Sequence, residues 1–400
     1  MADELPLLPV ESPAFWADPE PFLVEARKKH PWLARFSSGY VVHGCQANKD
    51  LFADDENLSM GLGGIVEFYG AQGTPWARFM EEMLLSKRGE EHRRLRDSVA
   101  FAFTPLQARL QRENIREVVS SLLDEWAPRS RFDFTEFASW FPVSVMCGLL
   151  GISTDVIPSL RWALEMQVTS LTLNRALKPR IMEAFDLKWS IADRLIRERE
   201  TQGDTRGGQL LDNLLVARDA GDLDDRELRF MLLVLLIAGY DTSKNLLGMM
   251  MHLLIDRPQM YERCAVDKTY CAKVVEETLR HSNIATPFRQ VIAPFEYNGF
   301  RFEEGALLAL ATPLAGRDPL AFEDASDFQP ERERKTRHVA FGRGAHICIG
   351  QFLARNQLEE GLHLIAQRIR RPRRVGAVTW RPLLGAWGLR SLPILFDPVT

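Results

Sequence analysis

The sequence predicts a mainly α fold with a smaller β portion, and three observations carry that prediction. From Glu82 to about Arg199, apolar residues recur at three- and four-residue spacing, the period of helices with one buried face. A single helical pattern then runs from Asp224 to Asp256, ~33 residues or ~50 Å at 1.5 Å per residue. After His281 the texture changes to short β-like runs separated by turn residues.

The elements follow in order. Residues 1–40 are proline-rich and read as irregular, with about 1–20 set apart as an N-terminal segment; Tyr40 to His43 is a short strand. Met60 to Trp76 is rich in glycine and aromatics and reads as a long loop of the kind that often forms a lid. The helical stretch that ends near Arg199 is followed by a polar break at Gly203 to Gly208. Asp224 can cap the long helix and Glu227, three residues on, completes a capping box. That helix is apolar nearly all round in its middle, so it should be buried, and it stops before Pro258. Tyr270 to His281 is a further helix. Within the β-like stretch Ala285 to Leu310, Asn298-Gly299 favours a tight hairpin turn. A glycine-rich loop, 341–350, leads into a last long helix ending near Arg371, and Leu389 to Phe396 reads as strand. With no internal repeat and no clear linker, residues 1–400 are read as one domain.

Composition narrows the function. The chain is 46% hydrophobic and 26% charged with a net charge of −4, so no basic excess exists to neutralise nucleic-acid phosphates. The acidic, proline-containing start lacks the basic and apolar regions of a signal peptide. The longest apolar run, Phe230 to Gly239, falls short of the ~18–20 residues that span a bilayer. The expectation is a cytoplasmic monomer without membrane attachment. Five cysteines, Cys45, Cys147, Cys264, Cys271 and Cys348, are odd in number and too few for a disulfide scaffold, and suit reduced thiols.

The strongest chemical signal is Phe341-Gly-Arg-Gly-Ala-His-Ile-Cys-Ile-Gly350. Glycines at 342, 344 and 350 let backbone bend closely around something flat. Cys348 stands just before a helix, where free N–H groups and the helix dipole favour a thiolate. The plain alternative is a buried structural cysteine, the commonest role of a free thiol. Zinc with His346 fails for want of other ligands at the right spacing, and the loop lacks the glycine order of a dinucleotide fingerprint.

On these residues the chain resembles the cytochromes P-450, whose haem-ligand loop reads F-x-x-G-x-x-x-C-x-G; Phe341, Gly344, Cys348 and Gly350 match each fixed position. The resemblance spans roughly residues 80 to 396 and best suits the soluble bacterial branch. It implies haem b, iron protoporphyrin IX, held by Cys348 and contacted by Phe341, Gly342 and Gly350, between the loop and the long helix. Three further motifs fall in the family's order. Glu277-Thr-Leu-Arg280 matches E-x-x-R; at i,i+3 the two side chains can pair, and Arg332 in Phe328-Gln-Pro-Glu-Arg332 would be the third member of a structural network. Alone, such a pair is usually a solvated surface bridge. Ala238-Gly-Tyr-Asp-Thr242 places weak helix formers inside the apolar helix, a local inconsistency of the kind that marks functional sites. Thr242 can hydrogen-bond back to a carbonyl; the bland reading is a tolerated kink. The resemblance makes Ala238 part of the haem and oxygen groove, and Asp241 and Thr242 its catalytic proton relay. Finally, His92 and Arg96, in the pattern H-x-x-x-R, with Arg289 and His346, would neutralise the haem propionates. Lys87-Arg-Gly-Glu90 departs there from the family's D-P-P-E.

The reading is a haem-thiolate monooxygenase that inserts one oxygen atom from O₂ into a small apolar or aromatic substrate. No flavin or nicotinamide motif is fused on, so electrons come from a separate ferredoxin and its reductase. Family analogy puts Phe68, Tyr69, Trp76, Phe79, Val234, Ile284 and Trp387 in the substrate pocket. Two rivals are a peroxide-driven peroxygenase, which would not need Asp241 and Thr242, and a non-enzymatic haem sensor or carrier. The cluster Arg368, Arg370, Arg371, Arg373 and Arg374 is read as a solvated helix end that complements the dipole.

Overall fold

The computed structural model describes residues 4–201 and 209–398. Its spine is the helix Asp225–Ile255, here called the central helix. The expected capping box forms: the Asp224 carboxylate accepts from the N–H groups of Arg226 and Glu227, and Glu227 accepts from the Asp224 N–H. By length and composition alone this helix could cross a membrane, but 78% of its most apolar window is buried inside the protein. It is therefore the core helix its all-round apolarity predicted. Phe134–Leu150, capped by Asp133, runs along it. Gly239 permits that approach, since a Cβ there would lie 2.5 Å from Met146 Sδ. Ile157–Thr169 and Lys178–Thr201 cover the same side. Lys268–His281 and Gln351–Arg368 pack on the central helix from another.

The β portion is small. Five strands form one sheet in the order Leu33–Phe36, Gly39–Val42, Leu307–Leu310, Phe288–Val291, Leu58–Ser59. Ile369–Arg374, Pro393–Pro398 and Arg131–Asp133 form another. A C-terminal hairpin pairs Thr379–Arg381 with Gly388–Ser391, and its turn sends Gly385–Ala386 to pair with Ala285–Thr286. Asn298 and Gly299 make the hairpin turn between Phe295–Tyr297 and Phe300–Phe302, both at positive φ, as that dipeptide favours.

Four readings need correction. Residues 1–40 are not irregular: they hold helices Pro13–Ala17 and Glu20–Lys29 and strand Leu33–Phe36. Their prolines start the helices, where a missing N–H costs nothing. The 60–76 segment is not a long loop but contains helix Leu62–Tyr69, bounded by Gly61 and Gly70 in the left-handed region, followed by Pro75–Glu82 capped by Thr74. The glycines there punctuate a helix rather than abolish it. The helical stretch from Glu82 to Arg199 is several helices, interrupted for example by the strand Arg131–Asp133. The last helix ends at Arg368, and Arg370, Arg371, Arg373 and Arg374 lie on a strand. Pro372 cannot continue a helix, and Arg371 and Arg373 meet Asp397 across the pairing while Arg374 meets Asp256. The polar break at 203–208 lies outside the described residues.

Candidate active site

The loop around Cys348 is shaped by its own backbone. Gly342 and Gly344 sit at φ 69° and 76°, which L side chains rarely adopt. Gly344 also lies against residues 52 and 53, where a Cβ would meet Ala53 Cα at 3.0 Å. The Cys348 N–H donates to Phe341 O at 2.9 Å and the Ile347 N–H to Gly344 O. Gly350 is the N-cap of Gln351–Arg368. Cys45, Cys147, Cys264 and Cys271 are buried, whereas Cys348 is exposed. Its dense surroundings push its pKa up, opposed by the Gly350 N–H and by Arg96 and Arg355, which favour the thiolate.

Two ionic braces on the helix Lys268–His281 hold the chain before this loop and the loop's two flanks. In the first, Arg280 spends all five donors: two on Glu277, at 3.0 and 2.6 Å, and three on the carbonyls of Gly316, Ala325 and Asp327, each at 2.7 Å. Arg332 Nε reaches Glu277 at 3.4 Å, and the Gln329 N–H donates to the same carboxylate at 2.8 Å. Glu277 and Arg280 are buried, so the pair is not a surface bridge. Sequence reasoning missed the second brace. Glu276 accepts from Arg355, beyond the cysteine, and lies 3.3 Å from His338, before it. Arg355 also stacks 4.4 Å above the Phe341 ring.

A cation cluster adjoins the loop. His92 and His346 lie with ring centroids 4.2 Å apart. Arg96 donates to Ile347 O at 2.7 Å, and Arg289 is buried with Phe288 O as its partner. Among the described residues none of the four makes an ion pair with a carboxylate. The strain shows in their acidities: burial and then His92, Arg289 and Arg96 bring His346 down to about 3, and burial brings Arg289 down to about 10. His346 Nδ1 is buried with no partner. Such a cluster calls for an anion, and two carboxylates on a flat apolar group meet that demand. The residues therefore fit a haem.

The central helix supplies the other wall. Ala238 and Thr242, one turn apart, are exposed on a helix whose Tyr240, Asp241 and Ser243 are buried. A bare strip on a buried helix marks a gap in the core. The Thr242 hydroxyl donates to Ala238 O at 2.9 Å, the back-bonding expected of it. Asp241 is 1% exposed; its oxygens accept from Arg381, 2.8 Å away, and Asn245, 2.9 Å away. Glu165 in turn takes Lys244 and the Tyr240 hydroxyl.

The aromatic wall residues are placed unevenly. Val234 lies one turn before Ala238 on the central helix, and the Trp387 N–H donates to Ile284 O at 2.7 Å. The Trp387 indole, however, is spent on Trp16 O and stacks on Trp380. Tyr69 is tied to Ser170 and Asn174, Trp76 to Gln167, and Phe79 packs between Phe185 and Phe230. Phe68 lies edge-on to Tyr69 beneath Arg175. These four form an aromatic layer beside the helices Ile157–Thr169 and Lys178–Thr201. A groove of about 820 Å³ at the start of the central helix is lined by Phe185, Trp189 and Phe230, and includes none of Cys348, Ala238 or Thr242.

A braced cysteine loop, a cation cluster beside it and a buried helix with an exposed Ala238–Thr242 strip define a haem-thiolate oxygenase. A cytochrome P450 family model matches residues 152–370. A luteothin monooxygenase from Streptomyces thioluteus is 32% identical over 98% of this chain and 96% of its own length. A mycinamicin IV hydroxylase/epoxidase from Micromonospora griseorubida is 30% identical over 72% of each. The solved structure of CxnD, a cytochrome P450 for C–S bond formation in chuangxinmycin biosynthesis, superposes with a TM-score of 0.86 at 26% identity, covering 96% of this chain and 95% of that one. The chain belongs to the cytochrome P450 family and is a monooxygenase of that family, with haem as the family's cofactor.

Proposed function

We propose that this enzyme inserts one oxygen atom from O₂ into a small apolar or aromatic organic molecule, using haem b and electrons from a separate ferredoxin and reductase. The observation that carries the reading is the exposed Ala238–Thr242 strip with buried Asp241 beside it. Cys348 would hold the iron; His92, Arg96, Arg289 and His346 would meet the propionates; Phe341, Gly342 and Gly350 would shape the loop against the ring. When bound, the haem supplies the oxygen activation. The chain's own part is protons and dryness. The Thr242 proton is committed to Ala238 O, so its lone pairs face the gap and accept from a protonated group there. Asp241 is the titratable group next to it. Val234, Ile284 and Trp387 would keep the substrate end of the gap apolar, with Phe68, Tyr69, Trp76 and Phe79 as the aromatic layer behind.

Relatives named as a luteothin monooxygenase and a mycinamicin IV hydroxylase/epoxidase support oxidation of a small molecule. For the electron donor, exposed Phe352 opens the helix after Cys348, beside Arg109, Arg112 and Arg355. Exposed Leu106 and Leu110 flank them in sequence. Arg112 and Arg355 are held by Glu359, Glu360 and Glu276, while Arg109 makes no ion pair among the described residues; an apolar patch edged by that cation suits an acidic partner such as a ferredoxin. The reading includes a cytoplasmic monomer.

The test is Thr242→Ala. Haem binding and substrate affinity should stay near wild type, while product formed per reducing equivalent falls and released peroxide rises. Wild-type coupling would return the Gly-x-Asp-Thr segment to a tolerated kink. The thiolate assignment is read separately: the reduced, carbon monoxide-treated protein should show the far-red Soret band of thiolate ligation, and Cys348→Ser should lack it.

A further inference from the structure

We infer that Arg381 is a positioning residue for proton delivery, the counter-ion that fixes Asp241 from the C-terminal hairpin; this rests on the relay reading of Asp241 and Thr242 above. A carboxylate as buried as Asp241 needs its charge matched and its oxygens bonded. Both conditions are met within one ring of three side chains. Arg381 Nη1 lies 2.8 Å from Asp241 Oδ1 and 3.2 Å from Asn245 Oδ1. Asn245 Nδ2 donates to Asp241 Oδ2 at 2.9 Å and to the Asp241 carbonyl at 2.8 Å. Glu165 also lies in the field of Arg381, but its direct partners are Lys244 and the Tyr240 hydroxyl. Arg381 is thus the cation assigned to Asp241, and its 13% side-chain exposure makes it the edge of the network nearest water.

A second observation, independent of the ion pair, shows that the hairpin is built to deliver this residue. Arg381 sits opposite Gly388 across the hairpin. A Cβ at Gly388 would lie 3.0 Å from both Asn245 Cβ and Asn245 Oδ1, and its φ of 152° disfavours a side chain in any case. Only a bare backbone lets the hairpin lie on the central helix at the turn that carries Asp241. The same hairpin brings Trp387 to Ile284 and Gly385–Ala386 to Ala285–Thr286. One element therefore links the apolar wall of the gap to the charge that orients the relay acid. With Arg381 in place the buried Asp241 carboxylate is charge-matched and held next to Thr242. Without it the carboxyl has no counter-charge and is free to turn away.

The experiment uses the haem-loaded, substrate-bound enzyme with Arg381→Gln and Arg381→Lys. Arg381→Gln should keep haem content and substrate affinity, yet slow electron-donor consumption by roughly tenfold or more and move its pH profile. Infrared difference spectra at neutral pH should gain a protonated-carboxyl band that disappears in the Arg381→Gln/Asp241→Asn double variant. Arg381→Lys should restore the profile and remove the band. A wild-type pH profile in Arg381→Gln, or no new band, overturns the inference. Should Arg381→Gln lose its haem, Gly388→Ala is read in its place: it keeps every charge but lifts the hairpin from Asn245, so a moved pH profile supports the inference and a wild-type profile overturns it. Failure of the relay reading itself shows elsewhere, as wild-type coupling in Thr242→Ala.

Discussion

Lys188 is fully buried in helix Lys178–Thr201, with Gln167 Oε1, 2.8 Å away, as its hydrogen-bond acceptor. That oxygen also accepts from the Trp76 indole, 3.3 Å away. Burial, unopposed by a carboxylate, brings the ammonium pKa from 10.5 down to about 7. The sign of the linkage follows. Below about 7 both folded and unfolded chains hold the proton, and the folded state bears the whole cost, on the order of 4–5 kcal/mol. Between about 7 and 10.5 the unfolded chain holds a proton the folded chain lacks, so stability rises with pH across that window. Lys188→Met should therefore raise the unfolding temperature at neutral pH, with the advantage shrinking towards pH ~10. An equal gain at both pH values would show that the lysine is already charged and compensated. Lys188 thus shares Gln167 with Trp76 of the aromatic layer.

Helix Lys268–His281 is the element on which the cysteine loop depends. Adjacent residues on it, Glu276 and Glu277, face different partners and fix different segments. Glu277 gathers Arg280, Arg332 and the Gln329 N–H, while Arg280 closes on three carbonyls from 316, 325 and 327. Removing the carboxylate strands a buried guanidinium, a loss of ~3–5 kcal/mol. Glu277→Ala should accordingly yield little soluble, haem-bound protein, and the measurement is soluble yield with haem content per chain. Normal values for both would mean that the carbonyl cradle alone holds the segment.

At the scale of the whole molecule, the central helix is a spine, and long-range ion pairs staple the β portion and loops to it and to the helices packed on it. Glu276 shows how this sets acid stability. Burial works against its charge, but the His338 and Arg355 contacts outweigh it and bring the carboxyl from 4.5 down to about 2. The stability it contributes is present above about pH 4.5 and is lost as pH falls through about 2. Glu276→Gln should lower the urea midpoint near pH ~6, with wild type and variant converging near pH ~2. A difference that persists undiminished at the acid end would mean the loss is one of shape rather than charge. Because Glu276 spans the residues before and after Cys348, the same titration should loosen the loop before the helices.

Much of this was legible in the sequence, and what was legible is local. The capping box of Asp224 and Glu227, the Asn298-Gly299 turn, the Glu277–Arg280 pair and the back-bonded Thr242 all join residues a turn or less apart, so spacing and side-chain chemistry suffice to specify them. The cysteine loop was legible for the same reason: its glycines and its carbonyl-to-amide closure from Phe341 to Cys348 lie within one short segment. The helices hidden in residues 1–40 and 60–76 were missed because proline and glycine break helices inside but begin and end them at the edges, and the pattern alone does not say which. The strand at Ile369–Arg374 was missed because its partner, Pro393–Pro398, arrives only after the chain has turned back. Tertiary structure alone decided that Arg381 pairs with Asp241 across 140 residues, that Glu276 joins His338 to Arg355, and that Lys188 is buried without a carboxylate. Such contacts leave no period in the chain. Their energy depends on distance and burial after folding, and these are set by the packing of the whole core around the central helix.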